Sequence, residues 1–193
     1  MLSPDMRMWN MRFLVSLALM TVLTPAQSGV NANWKPFRSS NGFVVQYPDN
    51  WFLRETSKDR LAILSSRGGA EATIIKSNQA QILVIEEKKF AGSNLSQAMD
   101  YYTHETKVLS HKSIQNQNSG PNRCSDLQEV VSTEPIVPSE DVVGSVPIVV
   151  NTEYFCQIKG NMYVTVLRNF QGNKNQPKYQ HIALDIAKSL RVE

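Results

Sequence analysis

The sequence is poor in the patterns that announce chemistry. No G-x-S-x-G elbow surrounds any of its serines, so an α/β-hydrolase nucleophile is absent. Arg67-Gly68-Gly69 is followed by no Lys-Ser or Lys-Thr pair, which excludes a phosphate-binding P-loop. The two cysteines, Cys124 and Cys156, do not form a C-x-x-C pair, which argues against a redox-active dithiol. Charge of one sign is also missing. Lys and Arg number 20 against 17 Asp and Glu, evenly mixed, whereas a nucleic-acid binder shows a basic excess or stripe. There is no internal repeat and no low-complexity segment.

Long apolar runs are lacking too. The longest, Phe13 to Leu23, has eleven residues where a membrane-spanning helix takes about 20. It follows Arg7 and Arg12, is broken by Pro25 and is succeeded by small residues. That is the layout of a secretory signal: basic, then apolar, then small. Cleavage after Ala32 or after Ala26 fits; Ala32 is preferred because Asn33-Trp34 then opens the domain. No cysteine lies near either position to carry a lipid. The expected organisation is a signal peptide over 1–32 and one domain over 33–193. Removing residues 1–32 leaves 18 basic and 16 acidic residues, a near-neutral balance. The expected location is the periplasm or extracellular space, or the thylakoid lumen in a photosynthetic organism. No nucleic-acid partner and no integral membrane segment are expected of the mature chain.

What is present reads as strands with two helices. Gly42-Phe43-Val44-Val45-Gln46-Tyr47-Pro48-Asp49-Asn50-Trp51 is a short strand closed by a proline turn, followed by an aromatic residue. Phe43, Val45 and Tyr47 share one face of that strand. Leu61–Leu64, 72–75, Ile82–Ile85 and 162–170 are further strands, and the unbroken apolar runs among them suit strands covered on both sides. Asn94 is a helix cap, and 95–112 is predicted as an amphipathic helix with Leu95, Ala98, Met99, Tyr102 and Leu109 inward. A second helix over 178–190 buries Tyr179, Ile182, Ala183, Ile186 and Leu190 and leaves His181 outside. Strands at 124–133 and 151–158 flank a connection over 134–150 that Pro135, Pro138, Gly144 and Pro147 punctuate and that carries Glu140 and Asp141. So long a connection is commonly functional.

In an exported protein an even pair of cysteines favours a disulfide. Pairing 124–133 antiparallel with 151–158 so that Cys124 faces Cys156 brings the two within bonding range, and places Leu127, Val131 and Phe155 on one face.

On the first predicted helix, Asp100, His104, Lys107 and His111 share the polar face. Asp100 and His104 are the nearest thing to a metal pair. His111 lies roughly 10 Å along the axis from His104, too far for one ion. Val108 also stands where a zinc-protease signature needs its second histidine. A solvated face is the simpler reading. Glu86 and Glu87, adjacent on a strand, point to opposite faces and do not make a carboxylate pair.

The stretch 42–51, with its form G-F-x-V-x-x-P-x-x-W, resembles the start of PsbP-like domains. The hairpin from Phe155 through Gly160 to Tyr163-Val164 and the closing Ile182-Ala183 to Ser189-Leu190 are similar to that family's ending. The resemblance implies an α+β fold, an α-β-α sandwich with a central antiparallel sheet and helices on both faces. It also implies an exported accessory protein. One branch of the family is an extrinsic photosystem II subunit that helps retain calcium and chloride; bacterial relatives are periplasmic; the same fold serves a nuclear Ran-binding regulator. This chain lacks the lipid-anchor cysteine of the cyanobacterial form and the basic extension of the plant form. Fold alone does not fix function. The expectation is a non-enzymatic accessory domain without cofactor. It would contact a protein partner in the envelope through the connection bearing Pro135, Pro138, Glu140, Asp141 and Pro147. The alternatives are a small-molecule or metal-binding protein or enzyme using Asp100 and His104, and a photosystem II accessory protein.

Overall fold

Strand β2 (Phe43–Pro48) alternates as its sequence requires, with Phe43, Val45 and Tyr47 in the main core and Gln46 exposed. The computed structural model describes residues 33–65, 78–118, 120–135 and 148–193. These belong to one compact unit, Ala32–Glu193; residues 1–32, the expected signal peptide, lie outside the described residues. The strand expected at 72–75 lies outside them as well.

Strand β1 (Trp34–Arg38) pairs antiparallel with β2, and Gly42, at φ 86°, makes the left-handed turn between them. Along the chain follow β3 (Phe52–Ser57), β4 (Arg60–Leu64), β5 (Gln81–Glu86), helix α1 (Leu95–Thr103), β6 (Lys107–Gln115), β7 (Asp126–Pro135), β8 (Ile148–Ile158), β9 (Asn161–Phe170), helix α2 (Gln176–Ser189) and β10 (Arg191–Val192). Two antiparallel sheets result. The smaller has the order β1-β2-β10, the larger β3-β4-β5-β9-β8-β7-β6.

The centre of the large sheet is the β8–β9 hairpin. Lys159 and Gly160, at φ 51° and 79°, form its two-residue turn, the mirror-image type whose twist matches the strands. Both strands are buried along nearly their whole length. One face, with Leu127, Tyr154, Cys156, Tyr163 and Leu167, packs against β2, Trp51 and α2. Helix α2 presents the stripe read from its sequence, and Tyr179 meets Trp51 edge-on at 5.8 Å. The opposite face, with Val130, Phe155, Met162 and Val164, packs against Ala98, Leu95, Met99 and Tyr102 of α1.

Three expectations are corrected. The first is the α-β-α sandwich with one central sheet and helices on both faces. The described residues are 52% strand and 19% helix, with two helices and two sheets. Among the described residues one face is covered jointly by the small sheet and α2, and the other chiefly by the nine residues of α1, with Phe90 beside them. The second is the helix over 95–112. Asn94 does cap it, its side-chain oxygen accepting from the Gln97 amide at 2.9 Å, but it ends at Thr103. Residues 107–115 instead pair with β7 along its length, where ladder hydrogen bonds outweigh a helical stripe that lacks a surface to bury against. Leu109, assigned to that stripe, is 54% exposed.

The third is the register of β7 on β8. Phe155 faces Gln128 rather than Ser125, an offset of three residues. An odd offset exchanges the faces. Leu127 therefore joins the α2 side while Phe155 joins the α1 side. The disulfide forms all the same. Cys124 sits just before β7, and its Cα is 5.8 Å from that of Cys156. Both are buried in the α2-side core. Closing a separation of 32 residues stabilises the fold by roughly 3–4 kcal/mol through the unfolded chain. The Cys124→Ala/Cys156→Ala double variant is therefore expected to lose about that much in urea unfolding, and reductant is expected to shift the midpoint of the native protein but not of the variant.

Candidate functional site

The residues that the sequence placed on one helix face are dispersed. Asp100 stays on α1, exposed. His104 is the C-terminal cap residue of α1, with Nδ1 2.7 Å from the Tyr101 carbonyl oxygen and Nε2 3.2 Å from Glu105 Oε1. Lys107 and His111 lie on β6, where His111 Nε2 is 3.0 Å from Gln128 Oε1. Among the described residues no three His, Cys, Asp or Glu side chains converge as metal ligands. Of the expected partner surface, Pro135 ends β7 opposite Ile148; Pro138, Glu140, Asp141 and Pro147 lie outside the described residues.

The root of that connection is nonetheless built. On the α1-side face, Ser132 of β7 faces Asn151 of β8, and Asn151 faces Arg168 of β9. Two residues along β8, Glu153 stands on the same face, between Val130 and Val166. Arg168 donates to Glu134 Oε1 at 2.7 Å, joining β7 to β9 across β8. Ser132, Asn151 and Glu153 are 0%, 5% and 3% exposed. Ser132 Oγ, Asn151 Oδ1 and Glu153 Oε2 have no hydrogen-bond partner among the described residues. A buried polar atom left without a partner costs about 1–3 kcal/mol, so three on one patch of sheet mark a place that ordinary packing does not explain.

Burial, and secondly the Glu134 carboxylate, push the Glu153 carboxyl up to about 7. Tyr102, reaching in from α1, is raised as well, by burial and by its hydrogen bond to Glu87. The row can accept hydrogen bonds, and at Glu153 it can take up or release a proton near neutrality. The sequence did carry a signal. Asn151 and Glu153 interrupt an apolar strand at positions of the same parity as Phe155, where a fully covered strand should hold only apolar side chains.

Two other surfaces stand out. An open groove of about 440 Å³ is lined by Thr56, Asp59, Arg60, Glu86, Glu87 and Lys88 among others. Several of its charges are paired internally. Lys88 Nζ lies 2.6 Å from Asp59, holding that carboxyl below and its own ammonium above their usual ranges. Asn41 Nδ2 donates to both Asp59 and Glu86. Separately, Val108 and Leu109 on the outermost strand β6, and Ile148 at the loop root, are 46%, 54% and 39% exposed.

No helix among the described residues is long and apolar enough to cross a membrane. No family model matches the sequence, and no curated protein matches it. Solved structures that resemble the chain include the Ran-binding protein Mog1p of Saccharomyces cerevisiae, at 11% identity and TM-score 0.49, covering 83% of this chain and 96% of that one. Cyanobacterial PsbP of Synechocystis sp. PCC 6803 aligns at 8% identity and TM-score 0.42, over 86% of this chain and 96% of that one. LpqN of Mycobacterium tuberculosis, involved in cell envelope biogenesis, aligns at 11% identity and TM-score 0.42, over 83% and 90%. These likenesses are of overall architecture and transfer no site.

The raised Glu153 carboxyl has a measurable consequence. A carboxyl whose folded value lies above its unfolded one contributes stability that is full below about pH 4.5 and lost as pH rises through about 7. Glu153→Gln is expected to match the native protein near pH 4 and to be more stable by about 2–3 kcal/mol near pH 8. Denaturant melts at the two pH values check this; a constant difference at both would contradict the assignment.

Proposed function

We propose that this chain is an exported, non-enzymatic binding domain that engages a protein partner of the cell envelope along strand β6 and the root of the 136–147 connection. The observation that carries the reading is the exposure of Val108, Leu109 and Ile148 at one end of the large sheet. Strand β6 is its edge, exposed at every position but Ile114. An edge strand offers a free row of backbone donors and acceptors, and a partner strand can add to it while its side chains meet the apolar ones. Export is supported by the buried Cys124–Cys156 disulfide, since such bonds persist in oxidising compartments, together with the signal-like pattern over 1–32.

Crosslinking in the native envelope tests this. A discrete adduct is expected with the native chain, reduced about tenfold or more by Leu109→Glu, which sets a charge against an apolar contact, and also reduced by deletion of 136–147. Absence of an adduct, or an adduct indifferent to both changes, would count against the proposal.

A further inference from the structure

We propose that Ser132, Asn151 and Glu153 form a binding site for the primary ammonium group of a small organic cation. The site goes beyond the partner surface and stands on its own geometry. Three oxygen atoms there, Ser132 Oγ, Asn151 Oδ1 and Glu153 Oε2, have no hydrogen-bond partner among the described residues, and the side chains that bear them are all more than nine-tenths buried. An alkylammonium head carries three N–H donors and no acceptor, so it satisfies three acceptors at once.

The spacing suits it. Three oxygens each about 2.9 Å from one nitrogen lie about 4.5–5 Å from one another. Ser132 and Asn151 are directly opposed across β7 and β8, a separation of about 4.5–5.5 Å at Cβ. Glu153 stands two residues along β8, about 6.6–7 Å at the backbone, and its longer side chain covers the difference.

The charge suits it as well. The groups facing Glu153 are Glu134 from β7, Arg168 from β9 and the Tyr102 hydroxyl from α1. Arg168 is bound by Glu134 at 2.7 Å, which leaves an ionised Glu153 without a cation of its own. Calcium or magnesium would need six or more oxygens, more than these three side chains offer. A single ammonium charge needs only the three. Binding requires the carboxylate form, so it draws a proton off Glu153.

The test is an NMR titration of the purified protein with methylammonium chloride, read at the backbone amides of Ser132 and Asn151. Tetramethylammonium chloride, which has the charge but no N–H, and potassium chloride serve as parallel arms at matched ionic strength. Saturable shifts with methylammonium alone are expected, with affinity falling about tenfold from pH 8 to pH 6 as Glu153 takes up its proton. Glu153→Gln is expected to bind at least about tenfold more weakly and to lose the pH dependence. Methylammonium producing no saturable shift means that the three oxygens hold water alone and overturns the proposal. Equal shifts in all three arms, or an unaltered affinity in Glu153→Gln, overturn it too.

Discussion

The structure depends on one constraint: strands β8 and β9 are buried on both faces, so neither side can be left to water. A hairpin of this kind removes most of its apolar surface from solvent only if each face finds a cover, and each buried aliphatic or aromatic side chain then contributes about 1.5–3 kcal/mol. The two covers are unequal. On one side α2, Trp51 and the small sheet share the task and enclose a large core. On the other side α1 has nine residues and reaches Phe155, Met162 and Val164. The polar row of Ser132, Asn151 and Glu153 lies farther along that face, toward the root of the 136–147 connection. The core and the candidate site are thus two ends of the same strands.

The parts of this arrangement legible in the sequence are those in which one local rule decides. Pro48 stops β2, Lys159-Gly160 turns β8 into β9, Asn94 caps α1, and the stripe from Tyr179 to Leu190 fixes the inward side of α2. The disulfide belongs here too, because two cysteines leave only one intramolecular pairing. The illegible parts are those in which a distant neighbour decides. Residues 95–112 carry a single helical stripe, yet β7 captures 107–115 as an edge strand, and nothing local to that segment announces β7. The register of β7 on β8 failed for a related reason. The disulfide was taken to mark directly opposed residues, whereas Cys124 sits beyond the end of β7 and reaches Cys156 from outside the ladder.

The candidate site was hidden in a different way. Its members are single polar residues, one on strand β7 and two on β8, with the Glu134–Arg168 pair beside them, and they match no spacing motif. Asn151 and Glu153 could be singled out as polar residues at core parity. Ser132 and Arg168 could not, because only the sheet order brings β7, β8 and β9 side by side. The histidines were the more conspicuous candidates, and His104 and His111 are surface residues, His111 on β6 rather than on the helix.

The pairing of β10 with β2 bears on how the molecule comes into being. Arg191 and Val192 supply the second neighbour of β2, the Glu193 amide bonds to the Gly42 carbonyl at 3.1 Å, and Glu193 forms an ion pair with Arg38. The small sheet is therefore completed by residues that follow α2 in the sequence, far from the hairpin they close. Without β10, β2 would have a bare edge on that side. Pairing between residues so far apart in sequence closes a long loop before it gains a contact, so the small sheet is expected to form late in folding.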